Sequence, residues 1–141
     1  MAATIAPSVR PGKLLRRSLW GAQIVVALVF CAAGVVKCLA PMSQLSGMLP
    51  WAGQLPPVLV RMLGLIDLAG GLGIFLPSLT RIKPSLTVQA AFGCIALQLS
   101  AIAFHLSRGE VSVLPLNFVL LPLCIFVFWG RGKRAPILPA A

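Results

Sequence analysis

Long apolar runs separated by short polar stretches dominate this chain of 141 residues. Four of the runs, at about 19–39, 58–79, 85–106 and 111–129, approach or reach the length of about 20 residues with which a helix crosses a bilayer. The stretches between them are rich in glycine, proline, serine and basic residues, which are typical of turns. The pattern predicts an all-α integral membrane protein, folded as a four-helix bundle.

Composition agrees with a membrane protein. Hydrophobic residues make up 59% of the chain and charged residues 10%, and the mean hydropathy is +1.00, which excludes an ordinary soluble domain. The net charge of +10 does not indicate a nucleic-acid binder, because the basic residues lie between apolar runs. We expect a basic N-terminal segment at 1–18, one membrane domain at 19–130 and a basic tail at 131–141.

The first apolar run resembles a signal peptide, but it is longer than the usual apolar core of one. Its uncharged apolar part, 19–36, is followed by Lys37 and Cys38 where small residues would be needed for cleavage. We therefore interpret it as a retained helix, with cleavage as the alternative. Four cysteines occur within or beside apolar runs without C-x-x-C spacing, which predicts buried, unreactive thiols.

Charge predicts the orientation. In a four-helix model nine basic residues fall on one side: four before the first helix, two between the second and third, and three after the fourth. By the positive-inside rule this side is the cytoplasm, so both termini are expected there. The segment 41–57 on the opposite side carries no charge, and Met48, Leu49 and Trp51 predict that it lies as a loop against the membrane interface. Residues 135–141 are expected to be frayed.

Asp67 is the residue that most needs an explanation. It and Glu110 are the only acids in the chain, and a charge near the bilayer centre costs about 3 kcal/mol unless it is compensated. Arg61 on the same helix is about 9 Å away along the axis and is not the natural partner. Lys37 leans inward from the first helix and Asp67 leans outward from the second, since side chains tilt toward their helix N-terminus. This predicts an ion pair.

Depth, estimated at about 1.5 Å per residue, brings other polar side chains to the same outer region. These polar side chains share their helix faces with small residues, which favours contact with another helix. Four glycines should allow two helices to pack closely. The predicted polar, ligand-binding pocket comprises Lys37, Arg61, Asp67, Gln98, His105 and Asn117. The predicted helix-packing glycines are Gly34, Gly64, Gly70 and Gly71. No metal site is expected with a single histidine, and no catalytic residue is evident.

The same residues resemble a known family. Residues 30–37 read F-x-x-x-G-x-x-K, and residues 61–77 read R-x-x-G-x-x-D followed by glycines and a proline. With His105, Glu110 and a basic end, the chain resembles the DoxX-like family of small four-helix bacterial membrane proteins over about 19–134. Asp67 stands where glutamate is common in that family. The resemblance implies the bacterial inner membrane, and a quinone cofactor or a membrane redox partner by association with some relatives.

Three functions follow from these observations. The leading hypothesis is a non-catalytic accessory or small-ligand-binding protein, associated with quinone or redox work, or a subunit of a membrane oxidoreductase assembly. The first alternative is a proton-coupled small-molecule transporter acting as a homodimer, because one carboxylate lies in a chain too small to enclose a pathway alone. The second is a buried ion pair with a purely structural role.

Overall fold

A computed structural model describes residues 11–140, and these residues are helical apart from short connections. The first ten residues, part of the predicted basic segment, and Ala141 lie outside the described range. The helices are α1 (Lys13–Leu39), α2 (Met42–Met48), α3 (Pro57–Thr80), α4 (Ser85–Ser107) and α5 (Leu114–Trp129). Shorter 3₁₀ turns occupy Pro50–Gln54 and Val111–Val113, and a π-helical turn, Gly130–Arg134, extends α5.

Within residues 11–140, four helical segments are long and apolar enough to cross a membrane: α1, α3, α4 and the segment Val111–Arg134 that contains α5. The predicted all-α, four-span fold is confirmed. The spans alternate in direction, so the turn 81–84 and the two ends of the chain share one end of the bundle, the terminal end. The connections 40–56 and 108–113 share the other, the loop end. Large apolar side chains such as Leu28, Phe92 and Phe118 are exposed and face the bilayer.

Glycines bring α1 and α3 into close contact. A Cβ atom on Gly34 would lie 2.7 Å from the carbonyl oxygen of Gly64, and one on Gly71 would lie 2.7 Å from the Cys31 sulfur. Gly70 faces α4 instead, where a Cβ would lie 2.8 Å from the sulfur of Cys94. Each distance is shorter than a real Cβ contact, so a side chain at any of these positions would force the neighbouring helix or side chain to move.

The half of the bundle toward the terminal end is tightly packed. Side chains from all four spans form its core, and Leu19 of α1 packs against the backbone of Gly130 at the end of α5. The buried members are Ala22, Val26, Phe30, Ile74, Ala91, Cys94, Leu120, Cys124 and Val127. The helices are therefore tightly packed at this end, and open space is left to the loop end.

The segment 41–56, which we call the cap, differs from the predicted interfacial loop. It folds into α2 and a 3₁₀ turn, and it buries Leu45, Trp51 and Ala52 against Val60 of α3. Only 8% of Trp51 is exposed, so its ring packs inside the protein. The reason is that the spans leave an apolar opening at the loop end, and burying these side chains there removes them from water. The position of this segment at the membrane interface stays a prediction.

The C-terminal segment 135–140 is also more ordered than expected. The Arg81 side chain donates to the carbonyl oxygens of Leu138 at 3.0 Å and Pro139 at 3.4 Å, and the Ala140 amide donates to the Arg81 carbonyl at 3.1 Å. Ala135 is buried. This segment is docked on the terminal end, in contrast to the predicted frayed tail.

Candidate functional site

A cavity of about 730 Å³ occupies the loop half of the bundle. All four spans and the cap contribute to its wall, which is mostly aliphatic and aromatic. Its polar side chains come from α1, α3, α4 and α5: Lys37, Asp67, Gln98, Ser100, His105 and Asn117. Five of the six residues predicted for the polar pocket therefore lie in one wall, although they are spread over eighty positions of the sequence.

Lys37 and Asp67 are in direct contact. The Nζ of Lys37 lies 2.5 Å from the Oδ2 of Asp67, and the two side chains are 17% and 9% exposed. Gly64 makes this possible, because a Cβ there would lie 2.9 Å from the Cβ of Lys37. The lysine stem thus crosses the surface of α3 at a glycine and reaches the carboxylate one turn further along. The contact expected from side-chain tilt is present.

Arg61 was grouped with the pocket because of its depth, but it does not line the cavity. Its Nη1 donates a hydrogen bond to the carbonyl oxygen of Lys37 in the last turn of α1. A cation at a helix C-terminus satisfies a carbonyl group that lacks a helical partner. Arg61 therefore supports the end of α1 from behind the site, and it fixes the backbone from which Lys37 projects.

Gln98 is the least satisfied polar group of the site. It is 6% exposed, and its Oε1 has no hydrogen-bond partner among the described residues. The expected contact with Asp67 is not made. A buried amide oxygen without a partner costs about 1–3 kcal/mol, so this atom is an acceptor that a hydroxyl or amine of a ligand would satisfy.

His105 lies in the wall next to the loop between α4 and α5. Its Nδ1 is 2.7 Å from Oε2 of Glu110, whose Oε1 accepts a hydrogen bond of 2.8 Å from Arg108. These hydrogen bonds, first that of His105 and then that of Arg108, lower the pKa of Glu110. Because Nδ1 is turned toward the carboxylate, Nε2 is the ring nitrogen left for the cavity.

Asn117 enters from the start of α5. Its Nδ2 donates at 3.3 Å to the carbonyl oxygen of Val113, one turn earlier on the chain. This long bond holds the amide against its own helix. Its side-chain oxygen takes no part in that bond and completes the polar section of the wall.

Trp51 of the cap belongs to the site, and sequence reasoning missed it. Its ring lies 5.8 Å from the Nζ of Lys37, within cation–π range, and edge-on to the rings of Phe104 at 6.1 Å and His105 at 6.4 Å. Arg108, in the connection between α4 and α5, donates a 2.6 Å hydrogen bond to Gln54 and so holds the cap against that connection. The available signal was a tryptophan within a charge-free segment flanked by proline and glycine, where an interfacial position is equally compatible.

The cavity walls do not resemble a metal centre. Within residues 11–140, no three side chains of histidine, cysteine, aspartate or glutamate come together as a possible ligand set. What the wall offers is hydrogen bonding: an ammonium donor, an unpartnered amide oxygen, an imidazole nitrogen and a second amide. An apolar chamber with this one polar section fits a small amphipathic molecule.

Fold and site together define a four-span membrane protein with a half-open cavity at one end. A model of the DoxX-like family matches residues 21–127. The match covers well over half of the chain, so the protein belongs to the DoxX-like family, and the resemblance read from residues 30–37 and 61–77 is confirmed. No curated protein and no solved structure matches the chain.

Proposed function

We propose that this DoxX-like protein binds a small, mostly apolar molecule with a hydrogen-bonding head in the cavity at its loop end, and acts as a non-catalytic component of the membrane. The observation that carries the proposal is the cavity itself, about 730 Å³ in volume, with Lys37, Asp67, Gln98 and His105 in an otherwise apolar wall. This volume is within the range of about 300–1,000 Å³ that is usual for small-molecule sites.

A quinone is the ligand class that best suits these groups. Its carbonyl oxygens would accept hydrogen bonds from Lys37, and in its reduced form a hydroxyl would donate to the unpartnered oxygen of Gln98. Its ring would pack beside Trp51 and Phe104, both of which line the cavity. Redox association of some family members supports the same class, and the protein would then supply or hold quinone for a partner enzyme.

Quinone binding is testable by fluorescence, because quinones quench nearby tryptophan. The chain has three tryptophans; Trp51 is at the cavity, whereas Trp20 and Trp129 are at the terminal end. A protein with Trp20→Phe and Trp129→Phe should be quenched saturably by decylubiquinone in detergent micelles. The matched control, Trp51→Phe with the other two retained, should show only linear quenching. Equal quenching of both proteins would mean partition into the micelle and would reject the proposal.

A proton-coupled transporter acting as a homodimer is the second candidate, and the paired Lys37 and Asp67 in the cavity wall favour it. The test is proton movement driven by a candidate substrate in proteoliposomes. Movement that Asp67→Asn abolishes would favour transport. Saturable quinone binding without proton movement would favour the ligand-binding role, and unchanged binding after Lys37→Met with Asp67→Leu would mark the pair as structural.

The loop end is proposed to face outward from a bacterial inner membrane. The basic residues of the described chain concentrate at the terminal end, and the positive-inside rule puts such an end in the cytoplasm. Reporter fusions after Leu79 and after Arg134 should both give a cytoplasmic signal. A periplasmic signal at either position would contradict this orientation and would open the cavity to the other side.

A further inference from the structure

A second polar site lies at the terminal end, far from the cavity. Arg131 is 4% exposed in the π-helical turn after α5. Its Nε donates to Oε1 of Gln23 at 2.7 Å, its Nη1 donates to the Ala135 carbonyl at 3.3 Å, and its guanidinium carbon is 5.1 Å from the ring of Trp20. Its Nη2 has no hydrogen-bond partner among the described residues. This is a buried cation with an unused donor.

No side-chain carboxylate of this chain is placed to neutralise Arg131. The protein has only two acids; Asp67 pairs with Lys37, and Glu110 pairs with His105 and Arg108, all in the loop half. A buried charge without a counter-charge is strongly unfavourable. Within residues 11–140, the charged side chain that acts on the Arg131 guanidinium is another cation, Arg16. The missing anion must therefore come from outside the side chains of this protein.

The arginine is held in a fixed orientation. The Nε2 of Gln23 donates to the Ile74 carbonyl at 2.8 Å and to Oγ of Ser78 at 2.9 Å, so its Oε1 is turned toward Arg131. Ser78 in turn hydrogen-bonds Thr87 at 2.8 Å. A side chain that is already held in one orientation by hydrogen-bonded neighbours loses little conformational entropy when it binds a ligand. Arg131 is thus preorganised as a donor.

Depth indicates which anion is available. Trp20 and Trp129 flank the site, Arg134 lies over Trp129 at 5.4 Å, and tryptophans of membrane proteins concentrate at the headgroup level. Phosphate groups of lipids occupy that level, and basic sites between helix ends bind them. The guanidinium fork also matches the geometry of a phosphate.

We infer that Arg131, together with Arg16, binds the phosphate of an anionic phospholipid at the terminal end. Ala135 contacts Arg131 through the 3.3 Å hydrogen bond to its carbonyl oxygen. The rest of the segment 135–140 is held by hydrogen bonds with Arg81, and the Ala135 amide donates to the Gly130 carbonyl at 2.7 Å. A phosphate oxygen takes the place of the Ala135 carbonyl, because a charge-assisted hydrogen bond is stronger than the long neutral one. The inference is independent of the cavity and its ligand.

The test measures lipid affinity of the full-length protein in neutral detergent, by native mass spectrometry. Phosphatidylglycerol should bind with a saturable constant, and phosphatidylcholine with the same acyl chains at least about tenfold more weakly, since it carries no net charge. Inorganic phosphate distinguishes a lipid site from a site for a soluble anion. If phosphate displaces phosphatidylglycerol at equal concentration, the ligand is a free anion and the lipid assignment fails.

Matched substitutions locate the site. Arg16→Gln should weaken phosphatidylglycerol binding about fivefold, since one basic residue near a lipid headgroup contributes about 1 kcal/mol. Arg17→Gln changes the charge equally but points about 100° away on α1, so it should have little effect. Arg131→Gln should weaken binding at least about tenfold, whereas Lys133→Gln, an exposed neighbour, should not. Equal weakening by Arg16→Gln and Arg17→Gln would show diffuse attraction and overturn the inference, even if Arg131→Gln fails to fold.

Discussion

The coupling between Lys37 and Asp67 is the prediction with the most structural detail behind it. Replacing Lys37 with methionine keeps the apolar stem and removes the charge. Asp67, which is 6% exposed, then lacks the ion-pair partner that it has among residues 11–140. Breaking one side of a buried pair destabilises a protein by about 3–5 kcal/mol. Since Asp67 faces a cavity and is able to take up a proton, we expect the lower value, about 3 kcal/mol.

The reverse substitution should cost less. Asp67→Leu leaves the Lys37 ammonium 5.8 Å from the Trp51 ring, and the lysine side chain is 17% exposed. Partial hydration and the cation–π contact reduce the cost to about 1–2 kcal/mol. The double variant removes both charges and should be within about 1 kcal/mol of the wild type. The coupling energy in the cycle, the sum of the two single costs less the cost of the double variant, is then about 3–5 kcal/mol.

Unfolding by increasing SDS in mixed micelles, followed by far-ultraviolet circular dichroism, measures all four proteins under one condition. The comparison uses differences at a fixed SDS fraction, so no extrapolation is needed. Additive effects, with a coupling energy below about 0.5 kcal/mol, would show that the two residues do not act as partners. Such a result would refute the claim that Lys37 and Asp67 form an ion pair in the cavity wall.

Two other regions give direct predictions. Gly71→Ala should destabilise the fold by about 1–3 kcal/mol, because the new Cβ would lie 2.7 Å from a sulfur atom of α1. Gly93→Ala is the control: its Cβ would have no atom within 4 Å, so it should be neutral or stabilising in the same SDS titration. Hydrogen bonds to His105 and Arg108 lower the pKa of Glu110 from its ordinary 4.5, so this group stabilises the fold above about pH 4.5 and loses that contribution as the pH falls through its lowered value. Glu110→Gln should flatten this acid-side loss, and an unchanged pH profile would contradict the role of the carboxylate.

Local rules were sufficient for much of the fold and for part of the site. Span length and hydropathy predicted the four helices, because a bilayer demands about 20 apolar residues whatever their packing partners. Side-chain tilt and the cost of an isolated charge predicted that Lys37 meets Asp67. Both inferences depend on properties of single helices, which a sequence expresses directly.

The features that were missed depend on contacts between distant segments. Trp51 lies in the cavity wall because the cap folds into the opening between spans, and the sequence of the cap is compatible with either location. Arg61 lies behind the wall because it binds the Lys37 carbonyl at the end of α1. Arg131 was expected in a basic tail beyond the membrane domain, whereas Gln23 of α1 binds it across the bundle. A single glutamine in an apolar helix was the visible signal, but it does not reveal which helix supplies its partner.

Ligand binding at Gln98 tests the central claim most directly. In the protein that retains only Trp51, decylubiquinone is titrated into the parent and into the Gln98→Leu and Gln89→Leu variants, which carry the same substitution on the same helix. Gln98 lines the cavity with an unpartnered oxygen, whereas Gln89 is exposed outside it. The reduced form is a hydroxyl donor and is titrated by calorimetry, because it lacks the quenching quinone ring. Gln98→Leu should weaken quinol binding about tenfold, and Gln89→Leu should leave it unchanged. Identical dissociation constants for the two variants would contradict the contact between Gln98 and a ligand in this cavity.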